Sequence, residues 1–165
     1  MVLYATHANS NYTSIITISE ISTSIENNTS TLSYLVQMKS KNGYNFESIG
    51  STLILKINGV KVVHDTSQKS CGKNTTVTLA SGTTTVKHND DGKKTINSEY
   101  SYSQSSTASY TPKSASESGS MQLSTIARTT KAVTFTGFEL SGSEAGNYKL
   151  IAQPASVTAD ITVKQ

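Results

Sequence analysis

Residues 53–63 read Leu53-Ile54-Leu55-Lys56-Ile57-Asn58-Gly59-Val60-Lys61-Val62-Val63, two arms of β-formers on either side of Asn-Gly. Both turn residues tolerate the positive φ of a type I′ turn, so the stretch predicts a two-residue β-hairpin. Such a loop fixes the register: Ile57 opposite Val60, Lys56 opposite Lys61, Leu55 opposite Val62 and Ile54 opposite Val63. Leu55, Ile57, Val60 and Val62 then share a face that must be buried. The opposed lysines lie on the other face, where water screens their repulsion.

Working outward, the neighbouring segments carry the same period. Residues 12–21 predict a first strand, with Ile16 and Ile18 on one side and Ile15 and Ile21 on the other, a mixed pattern that a bulge or burial on both faces would explain. After turn residues 27–30, Leu32, Tyr34, Val36 and Met38 alternate with Ser33, Gln37 and Lys39, the pattern of a half-buried strand. Val77 and Leu79 mark the strand TTVTLA, Ser81-Gly82 is expected to turn the chain into TTTVKH, and Ile96, Tyr100 and Tyr102 share one face of a further strand. Between TTTVKH and that strand lies HNDDGKK, residues 88–94, read as a tight connection with Gly92 in the left-handed region. Residues 103–120 fit either an edge strand or an irregular crossover, since Pro112 forbids an interior ladder position. Met121, Leu123 and Thr125 then alternate as a strand, and Val157, Ala159, Ile161 and Val163 close the chain as one more. About ten short strands and no helical period predict an all-β sandwich, jelly-roll or immunoglobulin-like.

Composition supports this reading. The 165 residues are 35% hydrophobic and 15% charged. Ser and Thr supply about three residues in ten, which suits sheets with a wet face. A net charge of +3 makes no dense basic surface, so nucleic acid is not an expected partner. The single cysteine, Cys71, excludes an internal disulfide. No apolar run is long enough to span a bilayer and no secretion signal opens the chain, so we expect a soluble protein that reaches the outside by a route such as lysis.

The search for chemistry yields little. His7, His64 and His88 lack metal-site spacing, and Asn89-Asp90-Asp91 lacks the alternation of a calcium loop, so neither metal nor cofactor is expected. His64, Asp65 and Cys71 have no nucleophile motif around them. The carboxylates Glu20, Glu47, Asp65 and Glu99 fall on separate segments; no enzyme is expected, and a glycan-cleaving reading would need the fold to bring two of them into one cleft. The remaining candidate is a ligand-binding loop between the second strand and the hairpin, where Tyr44 and Phe46 offer rings for sugar stacking and Asn42 and Asn45 offer amides. The same rings also suit anchoring that loop over the open end of the sandwich. Tyr100, Tyr102 and Tyr110 are further aromatic candidates, the first two read as core.

Two resemblances add to this. The blocks NNTSTLSY, YNFESIGSTLILKINGVKVV, SGTTTVKHNDDGKKTI and SSTASYTPKSASESGSMQLSTIAR, spanning about residues 11–128, resemble the N-terminal domain of a family of minor structural proteins of siphoviruses that infect Gram-positive bacteria. The C-terminal KAVTFTGFELSGSEAGNYKLIAQPASVTADITVK resembles the back half of the YDG repeat of bacterial surface adhesins, without its Tyr-Asp-Gly front half. The resemblances imply a sandwich over residues 1–128 with 129–165 packed on it as added strands. They imply a non-enzymatic part of a phage tail, acting in virion assembly or host attachment, with other virion tail proteins and host cell-wall glycan as partners and a homotrimer as the expected assembly. The alternative they leave is an extracellular or bacterial-surface adhesin or carbohydrate-binding module.

Overall fold

The computed structural model describes residues 1–41, 45–127, 131–133, 136–153 and 155–159. Two antiparallel sheets face each other. The first runs in the order β1 (Val2–Thr6), β2 (Tyr12–Ser24), β3 (Thr29–Ser40), β7 (Thr76–Lys87). The second runs β5 (Val60–Asp65), β4 (Phe46–Ile57), β8 (Thr95–Gln104), β9 (Ala115–Gln122), and β6 (Gln68–Cys71) pairs with the first half of β4. The chain changes sheet between β3 and β4, between β6 and β7, and again between β7 and β8, so connections cluster at the two ends of the sandwich.

The period-2 pattern decides which side chains meet between the sheets. Ile16, Ile18, Leu32, Val36 and Met38 from the first sheet face Leu53, Leu55, Ile96, Tyr100 and Tyr102 from the second, each 2% exposed or less. Burying each is worth on the order of 1.5–3 kcal/mol, and with no disulfide this packing carries the fold. The side chain of Tyr34 crosses from β3 over Gly82 of β7, where any Cβ would strike its ring, and donates to Val62 O of β5 at 3.1 Å. That bond ties the two sheets along one edge.

The hairpin forms at the predicted turn, with Asn58 at φ 51° and Gly59 at φ 78°. Its register holds for Ile57–Val60 and Lys56–Lys61 and then slips: Leu55 pairs with Val63 and Ile54 with His64. Val62 is the extra residue of a β-bulge, so Val63 turns inward beside Leu55 while Val60, at the sheet edge, stays 64% exposed. The bulge that would explain the mixed pattern of residues 12–21 is present between Glu20 and Ser22. The expected first strand is the second, because the five residues of β1 pair ahead of it on the sheet edge. Residues 68–71, polar and without an apolar run, form β6, and the turn expected at Ser81-Gly82 is absent, because both residues pair with β3 inside β7. The strand expected around Met121–Thr125 begins earlier, at Ala115, and ends at Gln122. Pairing with β8, not any apolar run of its own, makes β9 a strand. Residues 103–120 thus hold both an irregular crossover and an edge strand.

Beyond the sandwich, β10 (Lys131–Val133) pairs with β11 (Val157–Ala159) as a two-stranded sheet of its own, so among the described residues these strands are not added to either large sheet. A single 3-10 turn, residues 145–147, lies between them. Phe138, Tyr148 and Ile151 are 50%, 73% and 96% exposed there. Phe135, Ile161 and Val163 lie outside the described residues.

Candidate functional site

Three connections meet at one end of the sandwich: the β1–β2 turn, the start of the β3–β4 loop and the β8–β9 loop, residues 105–114. Sequence separation hides this meeting, and backbone pairing shows it. Ala8 N donates to Ser114 O at 2.8 Å, Asn9 N to Pro112 O at 3.4 Å, and Lys41 N to Asn11 O. Side chains then pin the long loop. Asn9 Nδ2 donates to Ser109 O at 2.7 Å, Tyr12 Oη to Tyr110 O at 2.8 Å, and Lys113 Nζ to Ser106 O at 2.8 Å. Asn11 Nδ2 donates to Asn9 Oδ1 at 2.9 Å, which orients the amide pair. The outcome is a fixed backbone at residue 110 with Tyr110 51% exposed. A shallow trough of about 460 Å³ lined by Thr52, Thr66, Ser103, Gln104 and Ser105 runs along the second sheet to the root of this loop.

The residues expected to bind ligand divide here. Asn42 and Tyr44 lie outside the described residues. Asn45 is exposed. Phe46 is turned inward instead: it is 2% exposed, and its ring packs edge-on to Tyr12 with centroids 5.6 Å apart. Its place as the first residue of β4, paired with Cys71, puts the ring on the core side of the pleat, so it offers no face to a sugar. Tyr100 and Tyr102 are core residues, as read from their pattern.

Beneath this end lies a buried polar relay that sequence reasoning missed. The Tyr100 hydroxyl is 2.6 Å from Ser14 Oγ, Ser14 Oγ is 2.8 Å from His7 Nε2, and His7 Nδ1 faces Lys113 O at 3.4 Å. A carbonyl only accepts, so Nδ1 holds the ring proton and Nε2 accepts from Ser14, which accepts from Tyr100. Every proton is used once with all groups neutral. Burial accordingly pulls His7 down to about 4, against backbone hydrogen bonds that favour its charged form, and pushes the Tyr100 phenol well above its ordinary value.

The opposite end holds a second relay. His88 is 4% exposed; its Nδ1 donates to Gly92 O at 2.8 Å and its Nε2 lies 2.6 Å from Ser30 Oγ. Ser30 also bonds Glu20 Oε1, and Glu20 Oε2 accepts from Ser124 N at 2.8 Å. Burial raises the Glu20 carboxyl, but the hydrogen bonds from Ser30 and Ser124 outweigh it and hold the group below its ordinary 4.5. Asn28, 1% exposed, donates to His88 O and Asn89 O and closes that end. The Asn89–Gly92 segment is a tight turn, with Gly92 N bonded to Asn89 O at 2.9 Å and Gly92 at φ 75°.

Each relay puts a Ser between a His and an oxygen, an order superficially like a hydrolytic triad. Ser14 and Ser30 are both fully buried, so neither hydroxyl is open to a substrate. Cys71 is also buried, and burial pushes its thiol up, away from the thiolate. Asp65 is held down to about 2 by the Lys69 ammonium and the Ser67 amide and hydroxyl. Glu99 pairs with Lys56 at 3.2 Å on the outer face of the second sheet, while Glu20 sits on the first. Among the described residues no group of three or more His, Cys, Asp or Glu side chains is placed to hold a metal ion, and no helix is long and apolar enough to cross a membrane.

A family model described as "Siphovirus protein of unknown function (DUF859)" matches residues 1–144. The match takes in the whole sandwich and runs past residue 128. No curated protein and no solved structure matches the chain.

Proposed function

The chain belongs to this siphovirus protein family, and from that premise we propose that it is a non-enzymatic structural component of the phage tail whose loop end contacts glycan on the host cell wall. The observation that supports this reading is Tyr110, half exposed on a loop fixed by Tyr12 and Asn9. Ordering a loop on binding costs free energy, and here that ordering is already present. An exposed aromatic face takes the apolar side of a pyranose, and amides at Asn9, Asn11 and Asn45 with the hydroxyls of the adjoining trough suit its equatorial hydroxyls. Tyr44, in the neighbouring loop, belongs to the same proposal.

The test is binding of the labelled full chain to Gram-positive cell walls, intact and stripped of polysaccharide, with Tyr110→Ala alongside. Binding lost on stripping and weakened about tenfold by Tyr110→Ala, with an unchanged melting temperature, is the expected result. Binding indifferent to both treatments removes the glycan reading. Phe46→Ala is unsuitable for this purpose, because emptying that core position costs about 3–5 kcal/mol.

A further inference from the structure

We infer that the outer face of the first sheet is a self-association surface that docks on the same face of a second copy of this chain. The pleat and the strand register define that face. Tyr4, Ile15, Gln37 and Thr78 form one cross-strand row, and Val2, Thr17, Leu35 and Ser81 the next. Tyr4 is 62% and Val2 48% exposed, and Ile15 and Leu35 are half-buried, so an aromatic and three aliphatic side chains lie together on the surface. The flanking rows are Thr6–Thr13–Lys39–Thr76 and Ser19–Ser33–Thr83. Across all four rows Lys39, on the rim, is the one charged side chain among the described residues.

Charge selects the occupant. Depletion of charge with retention of aromatic and aliphatic side chains distinguishes the centre of a protein interface from ordinary surface. The outer face of the second sheet shows the contrast, carrying Lys61, Lys56 and Glu99 in a single row with His64 and Ile54 in the next. Two copies of that face would set lysines against lysines, with Glu99 already paired to Lys56. Two copies of the first face meet with no opposed charges at the centre, and Thr, Ser and Gln supply both donors and acceptors to their own kind. The face is also large enough. Four strands about 4.8 Å apart and about nine residues of about 3.4 Å give a plane of roughly 19 by 30 Å. A face-to-face pair therefore covers about 1,100 Å², above the ~1,000 Å² that marks specific association. A two-fold axis lying in the plane closes the pair as a dimer.

Sedimentation of the full chain from about 1 to 100 µM tests this independently of any glycan. The expected result is a monomer–dimer equilibrium that Tyr4→Arg weakens at least about tenfold and that Ile54→Arg, on the opposite face, leaves unchanged. Gln37→Arg, at the centre of the face, gives the same reading should Tyr4→Arg fail to fold by circular dichroism. A monomer at every concentration overturns the inference and leaves the face to a different virion protein. A trimer overturns it as well, as does a dimer insensitive to Tyr4→Arg and Gln37→Arg or one lost in Ile54→Arg.

Discussion

The two ends of the sandwich are fastened by the same pair of residue types in opposite electrostatic settings. At the loop end, His7 and Ser14 sit under the Tyr110 loop with only neutral partners, Tyr100 and the Lys113 carbonyl. At the other end, His88 and Ser30 have a carboxylate in reach, Glu20, and a turn carbonyl, Gly92 O. The end that presents the candidate site depends on a histidine staying uncharged, whereas the far end is built around an ion with its own hydrogen-bond donors.

The comparison can be broken most forcefully at Gly92. A Cβ there would strike the backbone carbonyl of Ile126, and the residue already holds φ 75°. Gly92→Ala is expected to lower stability by on the order of 3 kcal/mol in urea denaturation. A loss under about 1 kcal/mol would mean that this turn does not seat His88.

Acid should separate the ends by pH window. Unfolded His7 takes up a proton near its ordinary 6.5, folded His7 only near 4, so between those values the unfolded chain binds more protons and stability falls as pH falls. The loss approaches about 3 kcal/mol at its fullest. His7→Gln should flatten that interval in a series of melts by pH, and an unchanged slope would place the titrating group elsewhere. Glu20 acts lower. Its folded carboxyl lies below 4.5, so the stability it adds is present above that value and is lost as pH drops through its folded value, and Glu20→Gln should remove only that part.

The smallest expected effect comes from the middle hydroxyls. Ser14→Ala leaves two neutral groups short of a partner and is expected to cost about 1 kcal/mol at pH 7, while Ser30→Ala withdraws a donor from a carboxylate and is expected to cost about 2 kcal/mol. Equal losses by thermal denaturation would erase the distinction between the two ends.

Much of the fold was legible in the chain. Alternation placed Leu32, Val36, Met38, Ile96, Tyr100 and Tyr102 inside, and Asn58-Gly59 located the hairpin, because both signals are local. The bulge at Val62 was not legible, since an extra residue shows itself only against the partner strand. β9 escaped for a related reason. A run of Ser, Gly, Glu and Ala has no strand signal of its own and becomes a strand by completing the edge of β8. Of the proposed ligand residues, Phe46 carried two readings in the sequence, sugar stacking and anchoring of the loop end, and the β4–β6 pairing turns its ring inward to anchor.

The sequence by itself determined that this is a β protein with apolar inner faces and hydroxyl-rich outer ones, because side-chain period and turn chemistry act over a few residues. Only the tertiary structure decided which residues work together. His7 meets Lys113 across 106 positions, Ser14 meets Tyr100 across 86, and Ser30 meets His88 across 58. Tyr4 and Leu35 share a charge-poor face only once the strands have taken their order and register. Such groupings depend on which strand lies beside which, a choice made by the packing of the whole core and written in no single stretch of the chain.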